Sequence, residues 1–205
     1  DECHEKPFAA AQAEHPSRVR QLPVARKPRS ADTLLLVPPA ELDCVLGLGS
    51  NLGNRQGYLR EAVRQLQQHA QMTAISALYE TAPVGPEQPD YLNAALRLRV
   101  ALEPWALLEL QLSIERGLGR ERLTRWGPRT LDLDLLFING RTVDRPGLLV
   151  PHRELTRRAF ALLPLLDVMP DAADPLSGQR YSELACALDR TGVRELPNTR
   201  AGWLE

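Results

Sequence analysis

Three observations in the sequence predict an α+β protein with a split βαβ, ferredoxin-like core. Apolar stretches with strand alternation occur at residues 44–49, 75–81, 91–102 and 131–138, helical apolar spacing separates the first from the second and the third from the fourth, and turn formers mark nearly every junction. The resulting order is strand, helix, strand, strand, helix, strand, with an added β-hairpin and C-terminal helices after it.

Taken in order, Cys44-Val45-Leu46-Gly47-Leu48-Gly49 forms an apolar strand that runs into the turn Ser50-Asn51-Leu52-Gly53-Asn54. The glycine spacing is neither that of a dinucleotide fingerprint nor that of a P-loop, which needs a following Lys-Ser/Thr, so these glycines serve the turn and close packing. Asn54 caps a helix whose apolar face is Leu59, Ala62, Val63 and Leu66. Ile75 to Thr81 is a second strand, and the loop Ala82 to Pro89 after it is stiffened by three prolines. Tyr91 to Leu102 alternates into a third strand with Tyr91 and Asn93 on one face. Pro104 opens a second helix at the position where its missing donor costs nothing, with Trp105, Leu108 and Leu112 as the expected core stripe and Gly117 and Gly119 as its end.

The centre of the chain is Arg125-Trp126-Gly127-Pro128-Arg129-Thr130-Leu131-Asp132-Leu133-Asp134-Leu135-Leu136-Phe137-Ile138, a stiff basic turn feeding a strand. Strand period puts Thr130, Asp132 and Asp134 on one face and Leu131, Leu133 and Leu135 on the other. Asn139-Gly140 signals a hairpin into Arg141-Thr142-Val143. Leu148 to His152 is another short extended piece, and 153–168 read as helical, with Pro164 forcing a break or restart. Periodicity fades beyond Pro170.

The chain has 205 residues, 43% hydrophobic and 25% charged, enough for one ordinary domain with spare length at its ends. The expected division is a flexible extension or linker at 1–42, a folded domain at 43–175 and a loosely attached segment at 176–205. The sequence opens without Met, so the expectation includes an upstream domain to which residues 1–42 are the linker. A net charge of −1 and a pI near 6.5 argue against bulk attraction to nucleic acid or an anionic membrane, so any anion site is local. Cys3, Cys44 and Cys186 are odd in number and widely spaced, and no run reaches the roughly 18 apolar residues of a membrane span. A cytoplasmic monomer acting on small molecules is expected.

Alternate strand residues lie roughly 6.5 Å apart at the backbone, so the carboxylates of Asp132 and Asp134 can converge on shared cations. Magnesium suits such a pair, being held by one or two carboxylates plus substrate phosphates. The competing reading is a solvated strand face. Ahead of the pair stand Arg116, Arg120, Arg122, Arg125 and Arg129, and guanidinium forks match phosphate oxygens. Acids that hold cations beside bases that hold anions describe a polyphosphate site.

The block Arg125 to Leu136 resembles the signature of the 6-hydroxymethyl-7,8-dihydropterin pyrophosphokinases. Gly47-Leu48-Gly49-Ser50-Asn51-Leu52-Gly53-Asn54, Tyr79-Glu80-Thr81-Ala82-Pro83-Val84-Gly85 and Pro89-Asp90-Tyr91-Leu92-Asn93-Ala94-Ala95 precede it in that family's order, and Val150-Pro151-His152 follows. The resemblance covers roughly residues 44 to 172. It implies a ferredoxin-like fold and transfer of the β,γ-diphosphate of ATP to the pterin hydroxymethyl oxygen, releasing AMP, in folate biosynthesis. It further implies two magnesium ions on Asp132 and Asp134, catalytic roles for Arg120 and Arg129, and nucleotide contacts from Glu115, Arg122, Trp126, Arg129, His152 and Arg158. The pterin would meet Thr81, Val84, Tyr91, Asn93, Trp126 and Phe160, its flat ring lying between Tyr91 and Phe160; the competing reading makes those two aromatics core residues. Two other functions stay open. An RNA-binding module of this fold would need exposed sheet aromatics, and a magnesium nuclease would share the carboxylates.

Overall fold

The structure, a computed structural model, describes residues 41–120, 127–200 and 202–204. Its elements are β1 (Leu42–Ser50), α1 (Arg55–Leu66), β2 (Gln71–Ile75), β3 (Tyr79–Thr81), β4 (Tyr91–Val100), α2 (Pro104–Gly117) and β5 (Asp132–Ile138). After these come β6 (Val143–Arg145), β7 (Leu148–Val150), a 3-10 turn at Leu155–Arg157, α3 (Ala159–Val168), α4 (Tyr181–Ala187) and β8 (Val193–Glu195). The main sheet has the order β5-β1-β4-β3-β8 with β2 also paired to β4, and every pairing is antiparallel. This is the ferredoxin-like α+β arrangement, with β2 and β3 together as its second strand.

Both faces of the sheet are covered. On one, Leu46, Leu48, Leu133 and Leu135 pack with Leu59, Ala62, Val63 and Leu66 of α1 and with Leu107 and Ile114 of α2. On the other, Val45, Ala95, Leu136 and Phe137 pack with Leu162 and Leu165 of α3 and Tyr181 and Ala185 of α4. Full burial of each leucine is worth about 1.5–3 kcal/mol. The α1 cap is as the sequence reads: Gly57 N–H donates to the Asn54 side chain at 3.0 Å.

A β-bulge in β5 governs which residues reach which face. Val45 pairs with Phe137 and Leu46 with Leu135, leaving Leu136 as the extra residue, so Leu136 and Phe137 both turn toward α3. Gly47 makes that bulge fit, because a Cβ there would come within 3.0–3.3 Å of the Leu136 side chain. Asp132 and Asp134 alternate with Leu133 and Leu135 and so share the α3 face.

Several expectations are corrected. The strand expected at 75–81 is two strands, because between them Ala77 N–H donates to Asp167 Oδ2 and Leu78 N–H to Thr199 Oγ1, taking donors from the ladder. In α2 the fully buried stripe is Leu107, Gln111, Ile114 and Glu115; of the expected Trp105, Leu108 and Leu112, Leu108 packs half-buried against the core and Trp105 is exposed. The reason is Glu115, whose inward carboxylate accepts from Leu133 N–H at 2.8 Å and fixes the helix rotation, leaving Trp105 46% exposed near Gly147. Past Asn139-Gly140 only an isolated Ile138–Arg141 bridge forms, and β6 pairs with β7. Pro164 lies inside a continuous α3. The segment 176–205, expected to be loosely attached, instead carries α4 and β8, the latter paired to β3. Trp203 there is 3% exposed and donates its indole N–H to Ser76 O at 2.9 Å. Of the expected extension, residues 1–40 lie outside the described residues.

Candidate active site

Where β1 ends and β4 and β5 begin, α3 no longer covers the sheet, and a cavity of about 560 Å³ opens on that face. Gly49 pairs with Asp132 on one side and Asn93 on the other, and a Cβ there would lie 3.0 Å from Asn93 Oδ1 and 3.7 Å from Asp132 Cβ. Its missing side chain is what lets the cavity floor exist.

One half of the cavity is charged. Asp132 Oδ1 lies 2.5 Å from Arg120 Nη1 and its Oδ2 lies 3.1 Å from Arg129 Nη1. Arg120 also pairs with Glu115, so the guanidinium sits between two carboxylates. Arg129 is held from behind by Gly127 O, which accepts from its Nε and Nη2 at 3.3 and 3.2 Å. Burial works against the charge on Arg129, but Asp132, Tyr91 and Asp134 outweigh it and raise its pKa.

Asp134, two residues along, is in the opposite position. No ion pair reaches it among the described residues. Burial, then the charges of Asp132 and Glu115, push its carboxyl up to about 7 against the partial relief of Arg120 and Arg129. Among the described residues no cluster of three His, Cys, Asp or Glu able to hold a metal exists. Asp132 and Asp134 put two neighbouring carboxylates on the cavity wall, oxygen donors of the kind that hard cations take.

The other half is flatter and less charged. Tyr91, Asn93 and Thr81 line it from the strands, Ala82 and Val84 from the loop after β3, and Phe160 from α3. Asn93 is 7% exposed and donates to Thr81 Oγ1 at 2.7 Å, which fixes the amide plane at the cavity wall. Burial raises the Tyr91 pKa. The Arg158 guanidinium lies 5.7 Å from the Phe160 ring centroid, a cation–π distance. His152, with Arg153, Glu154 and Arg158, closes the rim. Its Nδ1 accepts from Glu154 N–H at 3.3 Å, and burial and then Arg158 lower its pKa, so the neutral ring with its proton on Nε2 is favoured.

A cavity that joins paired carboxylates and arginines to an amide-and-aromatic wall is a place where a polyphosphate and a flat heterocycle can meet. Comparison with known proteins agrees. The family model for 7,8-dihydro-6-hydroxymethylpterin-pyrophosphokinase (HPPK) matches residues 45–170. The chain belongs to this family. A Bacillus subtilis 2-amino-4-hydroxy-6-hydroxymethyldihydropteridine pyrophosphokinase is 48% identical over 126 residues, 60% of this chain and 75% of that one. A Synechocystis protein of the same name is 42% identical over 151 residues, 73% of this chain and 77% of that one. A solved HPPK-DHPS structure in complex with substrates shares the fold at a TM-score of 0.64 and 13% identity, over 76% of this chain and 46% of that chain. This pyrophosphokinase thus also has relatives in which the same fold is part of a longer polypeptide.

Of the site residues expected from the pyrophosphokinase resemblance, the cavity gathers Arg120, Arg129, Asp132, Asp134, His152, Arg158, Thr81, Val84, Tyr91, Asn93 and Phe160. Glu115 does not line it; at 2% exposure it supports Arg120 and the start of β5. Arg122 and Trp126 lie outside the described residues. Ala82, Arg153 and Glu154 also line the cavity, although none was among the expected site residues. Asn51 was read as part of a turn and of a family motif without a role of its own, yet at 2% exposure it bonds to Arg129 and to the loop that carries Ala82 and Val84.

Proposed function

We propose that this chain transfers the β,γ-diphosphate of ATP to 6-hydroxymethyl-7,8-dihydropterin in this cavity, with the charged half taking the triphosphate and the amide-and-aromatic half the pterin. Family membership carries the reaction, a step of folate biosynthesis with ATP as co-substrate. The observation that supports the assignment of residues is the convergence of Asp132, Asp134, Arg120 and Arg129 at one end of the cavity and Tyr91, Asn93 and Phe160 at the other. In the reaction the pterin hydroxymethyl oxygen bonds to the β-phosphorus, the bond from that phosphorus to the oxygen bridging it to the α-phosphate breaks, AMP leaves with that oxygen, and the hydroxyl proton is released.

Asp132 and Asp134 would hold magnesium, two ions on this reading, and the donor set fits: both oxygens are hard, and Asp134 lacks a cationic partner among the described residues. When bound, the metal neutralises phosphate charge and orients the triphosphate. Arg120 and Arg129, at present paired to Asp132, would exchange that carboxylate for phosphate oxygens and stabilise the charge developing on the transferred group. His152 and Arg158 would contact the nucleotide at the rim, with Glu115 holding Arg120 in place. The Asn93 amide would pair with the pterin edge while Tyr91 and Phe160 bracket its faces, and Thr81 and Val84 would complete the pocket.

The same reading has the protein acting as a cytoplasmic monomer; no helix of the described residues is long and apolar enough to cross a membrane. The test is AMP formation from ATP with and without hydroxymethyldihydropterin. Strictly pterin-dependent AMP is expected. AMP release that ignores the pterin, or none from a folded sample, would defeat the proposal.

A further inference from the structure

We infer that Asn51 is a positioning residue that fixes the pterin side of the cavity to the Arg129 side, an inference that rests on the function proposed above. Asn51 directly follows β1 and is 2% exposed. Its backbone N–H donates to Arg129 O at 3.1 Å, and its Oδ1 accepts from Arg129 N–H at 2.7 Å. The backbone of Arg129 is thereby gripped from both its donor and its acceptor. The same amide turns its Nδ2 the other way, donating to Gln88 Oε1 and to Pro89 O, each at 3.0 Å.

Gln88 and Pro89 form the returning limb of the loop that carries Ala82 and Val84 into the cavity. The two ends of that loop are tied separately: Arg55 bonds Glu80 Oε1 at 2.8 Å and Asp90 O at 2.7 Å. Arg55 holds the loop to the body of the domain, whereas Asn51 joins it to the backbone of an arginine that contacts Asp132. With both amide hydrogens donated and the oxygen accepting, the orientation of the amide follows from its partners. A residue needed only to end β1 would require none of the side-chain bonds.

The two arms can be cut one at a time. Asn51→Asp keeps an oxygen facing Arg129 N–H but sets a carboxylate against Gln88 Oε1 and the Pro89 carbonyl, so it releases the loop and spares Arg129. Asn51→Ala cuts both arms. Steady-state AMP formation is measured with each substrate varied in turn, alongside thermal melts. Asn51→Asp is expected to raise the KM for the pterin about tenfold, from the loss of two neutral hydrogen bonds, with kcat and the KM for ATP within about twofold of the parent. Asn51→Ala is expected to lose about a further tenfold in kcat as Arg129 loses its acceptor. Gln88→Ala removes the bond that Gln88 Oε1 accepts from Asn51, together with the Gln88 bond to Pro86 O within the same loop, and should raise the pterin KM about threefold, which keeps the test open if either Asn51 variant fails to fold. An unchanged pterin KM in Asn51→Asp and Gln88→Ala, or lowered melting with unchanged kinetics, overturns the inference. A parent protein with no pterin-dependent AMP formation would instead overturn the function.

Discussion

Replacing Asp134 by Asn should stabilise the protein while abolishing its activity, and the stabilisation should depend on pH in a defined way. In the absence of metal, burial and the neighbouring charges of Asp132 and Glu115 displace this carboxyl from its ordinary 3.8 to about 7. The folded state therefore holds a proton that the unfolded chain has released, and stability falls as pH rises from about 4 to about 7. At ~1.4 kcal/mol per tenfold, the full displacement sets an upper bound on the order of 4 kcal/mol above pH 7, and solvent entering the open cavity reduces it. Asparagine carries no such charge at any pH. Urea denaturation of both proteins from pH 4 to 9, with a chelator present, should show little difference at the acid end. The variant should gain by a few kcal/mol above pH 7, titrating groups remote from Asp134 cancelling in the difference. Adding magnesium and a non-hydrolysable ATP analogue should raise the stability of the parent more than that of the variant, because only the parent offers the second carboxylate. A difference that does not vary with pH, or a variant less stable than the parent at pH 8, would refute the reasoning.

Arg129→Ala and Arg120→Ala should each lower kcat by about 10²-fold or more with a smaller effect on the KM for ATP, if they act on charge developing in transfer; an effect confined to KM would make them anchors. Asn93→Ala should weaken pterin binding about tenfold or more, since it strips the amide from the cavity wall, and calorimetry should find ATP affinity unchanged; unaltered pterin affinity with a lowered melting temperature would assign the residue to the core. Trp203→Ala should cost about 3–5 kcal/mol of stability, as for a buried aromatic, and lower the melting temperature while leaving the site residues in place. A loss below ~1 kcal/mol would mean the C-terminal segment contributes little.

The elements that carry the chemistry were legible because each is encoded over a short distance. Period two from Leu131 to Leu135 places Asp132 and Asp134 on one face, period 3.6 with a capping Asn54 sets the apolar side of α1, and the glycines of β1 mark a backbone that must be approached closely. What was not legible depends on partners far away in sequence. The break at Ser76–Leu78 is caused by Asp167 and Thr199, the rotation of α2 by a bond from Glu115 to Leu133, and the docking of the C-terminal segment by a three-residue strand and one indole. A count of apolar residues along α2 favours the wrong stripe, because the deciding residue is a carboxylate. Asn51 was lost for a similar reason: an Asn in a run of turn formers looks like a turn residue until its four bonds are traced.

The two carboxylates of β5 sit one alternation apart yet have been given opposite surroundings. Asp132 has two arginines; Asp134 has burial and the repulsion of Asp132 and Glu115. On the proposed reading this asymmetry sets the order in which charge is exchanged. Asp134, short of positive charge, and Asp132 would together hold a cation, and positive charge beside Asp132 would weaken the hold of Arg120 and Arg129 on that carboxylate. The two arginines would then be free to meet phosphate oxygens. Asp132 would trade guanidinium for metal and the guanidinium groups carboxylate for phosphate, while Asp134, raised to about 7, would give up its proton to the solvent as the metal binds. Burying an unpaired ion costs several kcal/mol, while exchanging partners costs only the difference between two pairings. Glu115 stays behind, bonded to the backbone of Leu133, so Arg120 keeps one anchor throughout the exchange.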